Sequence, residues 1–145
     1  VLYADMTNLS TVLFTADEQH LVTASQSPVS VWDITTQTVE RTLELRNSNN
    51  GKVLIGVLDG IVSALSPDNR ILFTGGQWLG DDTYTLALWD FSSGELLYTL
   101  ENLSAAVLSI AVMPDNSTLV YSLGDGTVVS WDITTRKPIK TIMIP

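Results

Sequence analysis

The chain reads as all-β: three antiparallel sheets of four short strands each, following one another along the sequence. Three observations predict this. A Trp-Asp pair recurs at Trp32-Asp33, Trp89-Asp90 and Trp131-Asp132, and the first and third copies share five residues in a row, Trp32 to Thr36 and Trp131 to Thr135. Upstream of each pair stands a turn signal between apolar runs: Phe14-Thr15-Ala16-Asp17, Leu65-Ser66-Pro67-Asp68 and Val112-Met113-Pro114-Asp115. The runs between these landmarks are short and rich in Val, Ile, Leu, Thr, Tyr and Phe, which suit a pleated, half-buried surface. No window of eleven or more residues sustains helical apolar spacing, so helix content should be near zero.

Taken in order, the first unit places strands at Thr11 to Thr15, His20 to Ala24, Pro28 to Asp33 and Val39 to Leu45. The second has Ile61 to Ser66, Ile71 to Gly75, Tyr84 to Asp90 and Glu95 to Leu100. The third has Val107 to Val112, Thr118 to Ser122, Thr127 to Asp132 and Pro138 to Ile144, divided by Pro114-Asp115-Asn116, Gly124-Asp125-Gly126 and Thr134 to Lys137. Asp early in a turn accepts hydrogen bonds from the N–H groups ahead of it, and Pro presets φ, so these segments join antiparallel neighbours. From Trp89 to Trp131 is 42 positions but from Trp32 to Trp89 is 57, so the second unit carries extra residues. They fall in two stretches, 46–52 and 76–83.

On these residues the chain resembles the WD-repeat β-propeller family, in which each unit is a four-stranded blade set around a central axis. The resemblance implies three antiparallel blades, approximately residues 4–45, 57–101 and 103–145, belonging to a ring of about six to eight. Trp32, Asp33, Trp89, Asp90, Trp131 and Asp132 are then structural repeat positions. Family blades often carry Gly-His at the start of the innermost strand; the matching positions hold Asp5, Gly56 and Leu103. The Asp of the turn before the Trp strand is present as Asp125, while Gln26 stands there in the first unit. These blades are divergent, and each indole N–H needs an acceptor other than the family histidine. Val1-Leu2-Tyr3 resembles the end of an outer strand from a preceding blade, so the segment is expected to be completed by other blades of its own chain or by other copies.

Charge and composition narrow the function classes. Sixteen Asp and Glu against seven Lys and Arg give a formal charge of -9 and repel a phosphate backbone, so nucleic acid is not expected as a partner. With no Cys there is no disulfide, thiolate zinc or thiol nucleophile, and the compartment stays open. No apolar run reaches the roughly 18 residues of a membrane span. Phosphate-cradling loops and nucleophile elbows are absent. His20 is the only His and has no second His or Cys to complete a metal set or triad, and Asp81-Asp82 lacks the spaced oxygen pattern of a calcium loop. The expectation is a non-enzyme without cofactor or metal. Three glycosylation patterns, at Asn8, Asn102 and Asn116, are what a chain rich in Asn, Ser and Thr yields by chance. WD-repeat proteins that recruit ubiquitin ligases are recognised by Arg two positions after Trp-Asp; here Thr35, Ser92 and Thr134 stand there, so that role is not implied.

What remains is a scaffold for protein–protein interaction with an unknown protein partner. The alternative is a regulatory or sensor propeller of a larger signalling or enzyme chain whose catalytic part lies elsewhere. If the resemblance holds, both long stretches of the second unit emerge on one face. Arg46 and Lys52 would lie near Asp81 and Asp82, flanked by Gln77 and Leu79, with Trp78 either an exposed anchor or a lid folded on its own blade.

Overall fold

The structure is a computed structural model, described for residues 11–24, 28–56 and 61–145. The expectations at Val1-Leu2-Tyr3, Asp5, Asn8 and Gln26 lie outside the described residues. Strict alternation builds the last sheet: Leu119, Tyr121 and Leu123 point inward from β11 (Thr118–Leu123), and Thr127, Val129 and Trp131 from β12 (Thr127–Asp132). Their register sets Leu119 against Trp131 and Tyr121 against Val129, so every large side chain falls on one face. β10 (Val107–Val112) and β13 (Lys137–Met143) flank this pair in the order β10-β11-β12-β13.

The first sheet repeats the plan with β1 (Thr11–Phe14), β2 (His20–Ala24), β3 (Val29–Asp33) and β4 (Thr38–Leu43). The second has β6 (Val62–Leu65), β7 (Ile71–Trp78), β8 (Tyr84–Asp90) and β9 (Leu96–Leu103), with a fifth strand, β5 (Leu54–Ile55), paired to the far end of β7. Four strands were expected there. All pairings are antiparallel and no helix occurs among the described residues.

Two apolar clusters join the sheets. Val22 and Val31 meet Leu72, Trp89 and Phe91 between the first and second; Phe73 and Leu88 meet Leu119, Tyr121 and Trp131 between the second and third. Each later Trp therefore faces back onto the preceding sheet. The innermost strands β1, β6 and β10 lie side by side in succession, which is a radial stack of blades around an axis.

Hydrogen bonds extend the stack at one edge. The three upstream turns place Glu18, Asn69 and Asn116 in the same left-handed conformation, with φ of 58, 60 and 61°. Asn69 Oδ1 accepts the Ala16 N–H at 3.1 Å, and Asn116 Oδ1 accepts the Asp68 N–H at 3.0 Å, so each turn is latched to the one before it. Every sheet also carries a bulge next to its Trp, between Val31 and Trp32, Leu88 and Trp89, and Ser130 and Trp131. The residue left without a cross-strand partner is Glu40, Leu97 and Ile139 in turn.

Candidate interaction surface

The extra residues of the second blade are built into the sheet rather than hung from it. β7 runs on through Gly76, Gln77 and Trp78, where residues 76–83 were expected to form a loop, and only 79–83 turn. Two glycines make the extension possible: a Cβ on Gly75 would press into the Val107 side chain, and one on Gly76 would collide with the Ile55 carbonyl. β5 exploits that opening, pairing Leu54 with Trp78 and Ile55 with Gln77. The 46–52 stretch closes as a small turn through the Arg46–Val53 bridge and the bond from Gly51 N–H to the Asn47 carbonyl at 2.7 Å.

Trp78 is not an exposed anchor. It is 2% exposed and sets its ring edge-on to Trp89 with centroids 6.1 Å apart, while its indole N–H reaches Glu101 Oε1 at 3.2 Å. The ring is a buttress under the ledge, because the β5 pairing covers it. Leu79, next in sequence, is 60% exposed on the turn that Gly80 permits with φ of 93°.

The two insertions meet through charge. Lys52 Nζ lies 2.6 Å from Asp81 Oδ1, tying 46–52 to 79–83, and the Leu79 N–H bonds the Val53 carbonyl at 2.8 Å. Arg46 does not join them as expected: its guanidinium turns to the Gly51 carbonyl at 2.7 Å and to Glu44 at 3.4 Å, partners within its own turn. Asp82 is exposed and Gln77 half-buried. The result is a ledge with an apolar tip, two ion pairs, Lys52–Asp81 and Arg46–Glu44, and the exposed Asp82 beside them.

The repeat residues lie in the frame. Trp32, Trp89 and Trp131 are 3%, 0% and 2% exposed. Trp32 donates to Thr23 Oγ1 at 2.9 Å and Trp89 to Thr74 Oγ1 at 2.8 Å, so threonine is the indole acceptor in the first two blades. The matching position of the third blade is Tyr121, and there Tyr98 of the preceding blade stacks on Trp131 at 5.7 Å. Asp33, Asp90 and Asp132 cap the turn that follows, accepting N–H groups of Thr36, Ser93 and Thr135 at 3.0, 2.9 and 2.8 Å. Those bonds hold the Asp33 and Asp90 carboxyls below the usual range. Asp125 accepts the Ser104 hydroxyl at 2.6 Å, which lowers its pKa first of all, with Thr127 adding to it. Ser104, next to Leu103, takes the histidine's place as the donor.

Comparison with known proteins finds WD repeats. The profile of the WD domain, G-beta repeat family matches residues 94–132. That segment is a WD repeat, and the rest of the chain is similar to WD-repeat proteins. The WD-repeat chain is 34% identical over 80 residues to Periodic tryptophan protein 2 of Arabidopsis thaliana, covering 55% of this chain and 8% of that protein. It is 30% identical over 132 residues to U3 small nucleolar RNA-associated protein 12 of Saccharomyces cerevisiae, covering 90% of this chain and 12% of the other. The WD repeat-containing protein 55 homolog of Drosophila virilis is 26% identical, with 87% and 22% covered. The WD-repeat chain thus spans less than a quarter of these relatives. The crystal structure of RRP9 WD40 repeats superposes with a TM-score of 0.75 at 16% identity, over 99% of this chain and 41% of that one, which shows the propeller fold. WD-repeat propellers are generally protein-interaction scaffolds without catalytic activity.

One group went unread in the sequence: His20, Asp33 and Glu40 converge at the outer corner of the first blade. The signal that could have found it is the bulge position, where the other two blades carry Leu97 and Ile139.

Proposed function

We propose that this chain is a non-catalytic segment of a WD-repeat propeller whose ledge of Arg46, Lys52, Gln77, Leu79, Asp81 and Asp82, buttressed by Trp78, docks a partner protein. One observation carries the reading: the Lys52–Asp81 pair closes both insertions into one rigid ledge and leaves Leu79 60% exposed at its tip. An apolar tip ringed by charge on a rigid support is the composition of a contact patch, since little ordering entropy is lost on binding. The formal charge of -9 favours a protein partner over nucleic acid.

A photo-crosslinking residue at Leu79 of the intact protein tests this, with the same residue at Lys137 as control. A defined protein adduct at Leu79, abolished by the charge reversal Lys52→Glu with Asp82→Lys, is expected. Equal labelling at both positions refutes the ledge as the docking surface.

A further inference from the structure

The blades share one register, so each serves as a control for the others. At the outer corner of the second blade, Ile71 begins the second strand, Asp90 ends the third and Leu97 fills the bulge; in the third blade these are Thr118, Asp132 and Ile139. The first blade keeps the aspartate as Asp33 but sets His20 directly opposite it and Glu40 in the bulge. Two largely apolar positions around a common carboxylate have become an imidazole and a second carboxylate.

We propose that His20, Asp33 and Glu40 bind a divalent first-row transition-metal ion, with zinc as the reference ion. One ligand atom from each lies within 4.8 Å of the others, and His20 Nε2 is already 2.9 Å from Glu40 Oε2. Bonds of about 2.1 Å to a tetrahedral ion separate ligands by roughly 3.4 Å, a closure within rotamer reach of a Glu side chain that is 49% exposed. The other imidazole nitrogen, Nδ1, lies 4.0 Å from Asp17 Oδ1, beyond direct hydrogen-bond reach. Asp33 Oδ1 accepts a turn N–H, as its counterparts do, and the carboxylate has a second oxygen that can coordinate. Arg41 lines the same cavity, about 180 Å³, but makes no ion pair with these carboxylates: its guanidinium lies 4.6 Å from the Phe91 ring centroid. Three carboxylates therefore stand around one base without a Lys or Arg salt bridge. An imidazole with two carboxylate oxygens suits zinc or its neighbours, leaving a coordination position for water. The ion would cross-link β2, β3 and β4 at the edge opposite the ledge, so this site and the docking reading stand or fall separately.

Calorimetric titration of the intact protein with Zn²⁺, and Co²⁺ absorption as a coordination readout, tests the site in wild type and in His20→Gln, Glu40→Gln, Asp17→Asn and Asp115→Asn, with circular dichroism confirming the strand signal. The wild type should bind one equivalent that both His20→Gln and Glu40→Gln lose. Asp17→Asn, which removes a charge outside direct contact with the ring, should weaken binding by less than either ligand variant. Asp115→Asn, an acidic turn residue of the third blade, should leave it unchanged. No zinc binding by the wild type, unchanged affinity in either ligand variant, or an equal loss in Asp115→Asn overturns the proposal, the last by showing diffuse acidic attraction.

Discussion

Replacing Trp78 by Ala separates a buttress from a docking anchor, because the two roles put the loss in different measurements. The ring is 2% exposed, packs edge-on to Trp89 at 6.1 Å and lies beneath the β5 pairing. Removing a fully buried aromatic costs about 3–5 kcal/mol, the edge contact contributing roughly 0.5–1.5 of that. Trp78→Phe keeps a ring in the space and deletes only the indole N–H; its acceptor Glu101 is exposed and regains water, so about 1 kcal/mol or less is expected. Urea unfolding of the intact protein, followed by tryptophan fluorescence and far-ultraviolet circular dichroism, gives both values as midpoint shifts at constant slope. A cost below about 1 kcal/mol for Trp78→Ala is what an exposed position shows, and that result would refute the buried placement and with it the rigid ledge.

Thr74→Val removes the buried acceptor of the Trp89 indole and should cost about 1–3 kcal/mol in the same unfolding assay, whereas a cost near zero would mean that the indole has no need of it. Thr85 is 0% exposed and its Oγ1 has no hydrogen-bond partner, so Thr85→Val, equal in shape, should be neutral or stabilising by about 1 kcal/mol; a clear loss would reveal a hidden partner. The turn carboxyls Asp17, Asp68, Asp115 and Asp125 are held below their ordinary value of 3.8, each first by a neighbouring hydroxyl. Depressed folded values mean stability that is fully present above the unfolded value and lost as pH falls through the folded ones. The urea midpoint should therefore be flat above about pH 5 and decline below about pH 4, and the Asp115→Asn/Asp125→Asn double variant should flatten that decline.

The strands were legible where pattern and punctuation agree. Val107–Val112, Tyr84–Asp90 and Thr127–Asp132 have the bounds that the sequence predicts, because short apolar runs meet Pro-Asp and Gly-Asp-Gly turn signals or the repeated Trp-Asp pair at their ends. The ledge was legible as a meeting of two insertions but not in its detail. Gly75-Gly76-Gln77 has the composition of a loop, yet its missing side chains admit Val107 and the Ile55 carbonyl against a continuing strand, which is a tertiary reason invisible along the chain. The two-residue β5 is too short to carry a period. His20 looked solitary because its neighbours Asp33 and Glu40 come from two other strands, and the bulge that turns Glu40 toward it leaves no mark in composition.

The contacts between blades explain how so divergent a set of repeats keeps one geometry. Counting from each Trp register, Arg41, Tyr98 and Lys140 hold the same place on the outer strand. Arg41 lays its guanidinium on Phe91 at 4.6 Å, and Tyr98 stacks on Trp131 at 5.7 Å and also meets the Arg136 guanidinium at 4.7 Å. A flat group on an aromatic ring recurs, although neither the charge nor the residue does, since guanidinium and phenol both offer a planar face to a π-surface. The first two indole donors are satisfied by threonines at one register position, and the second and third turns each latch to the preceding one by an asparagine amide. Each blade interface constrains shape and hydrogen-bond count rather than identity, so loss of the family histidine is met locally, by Thr23, Thr74 and Ser104, without a change of fold.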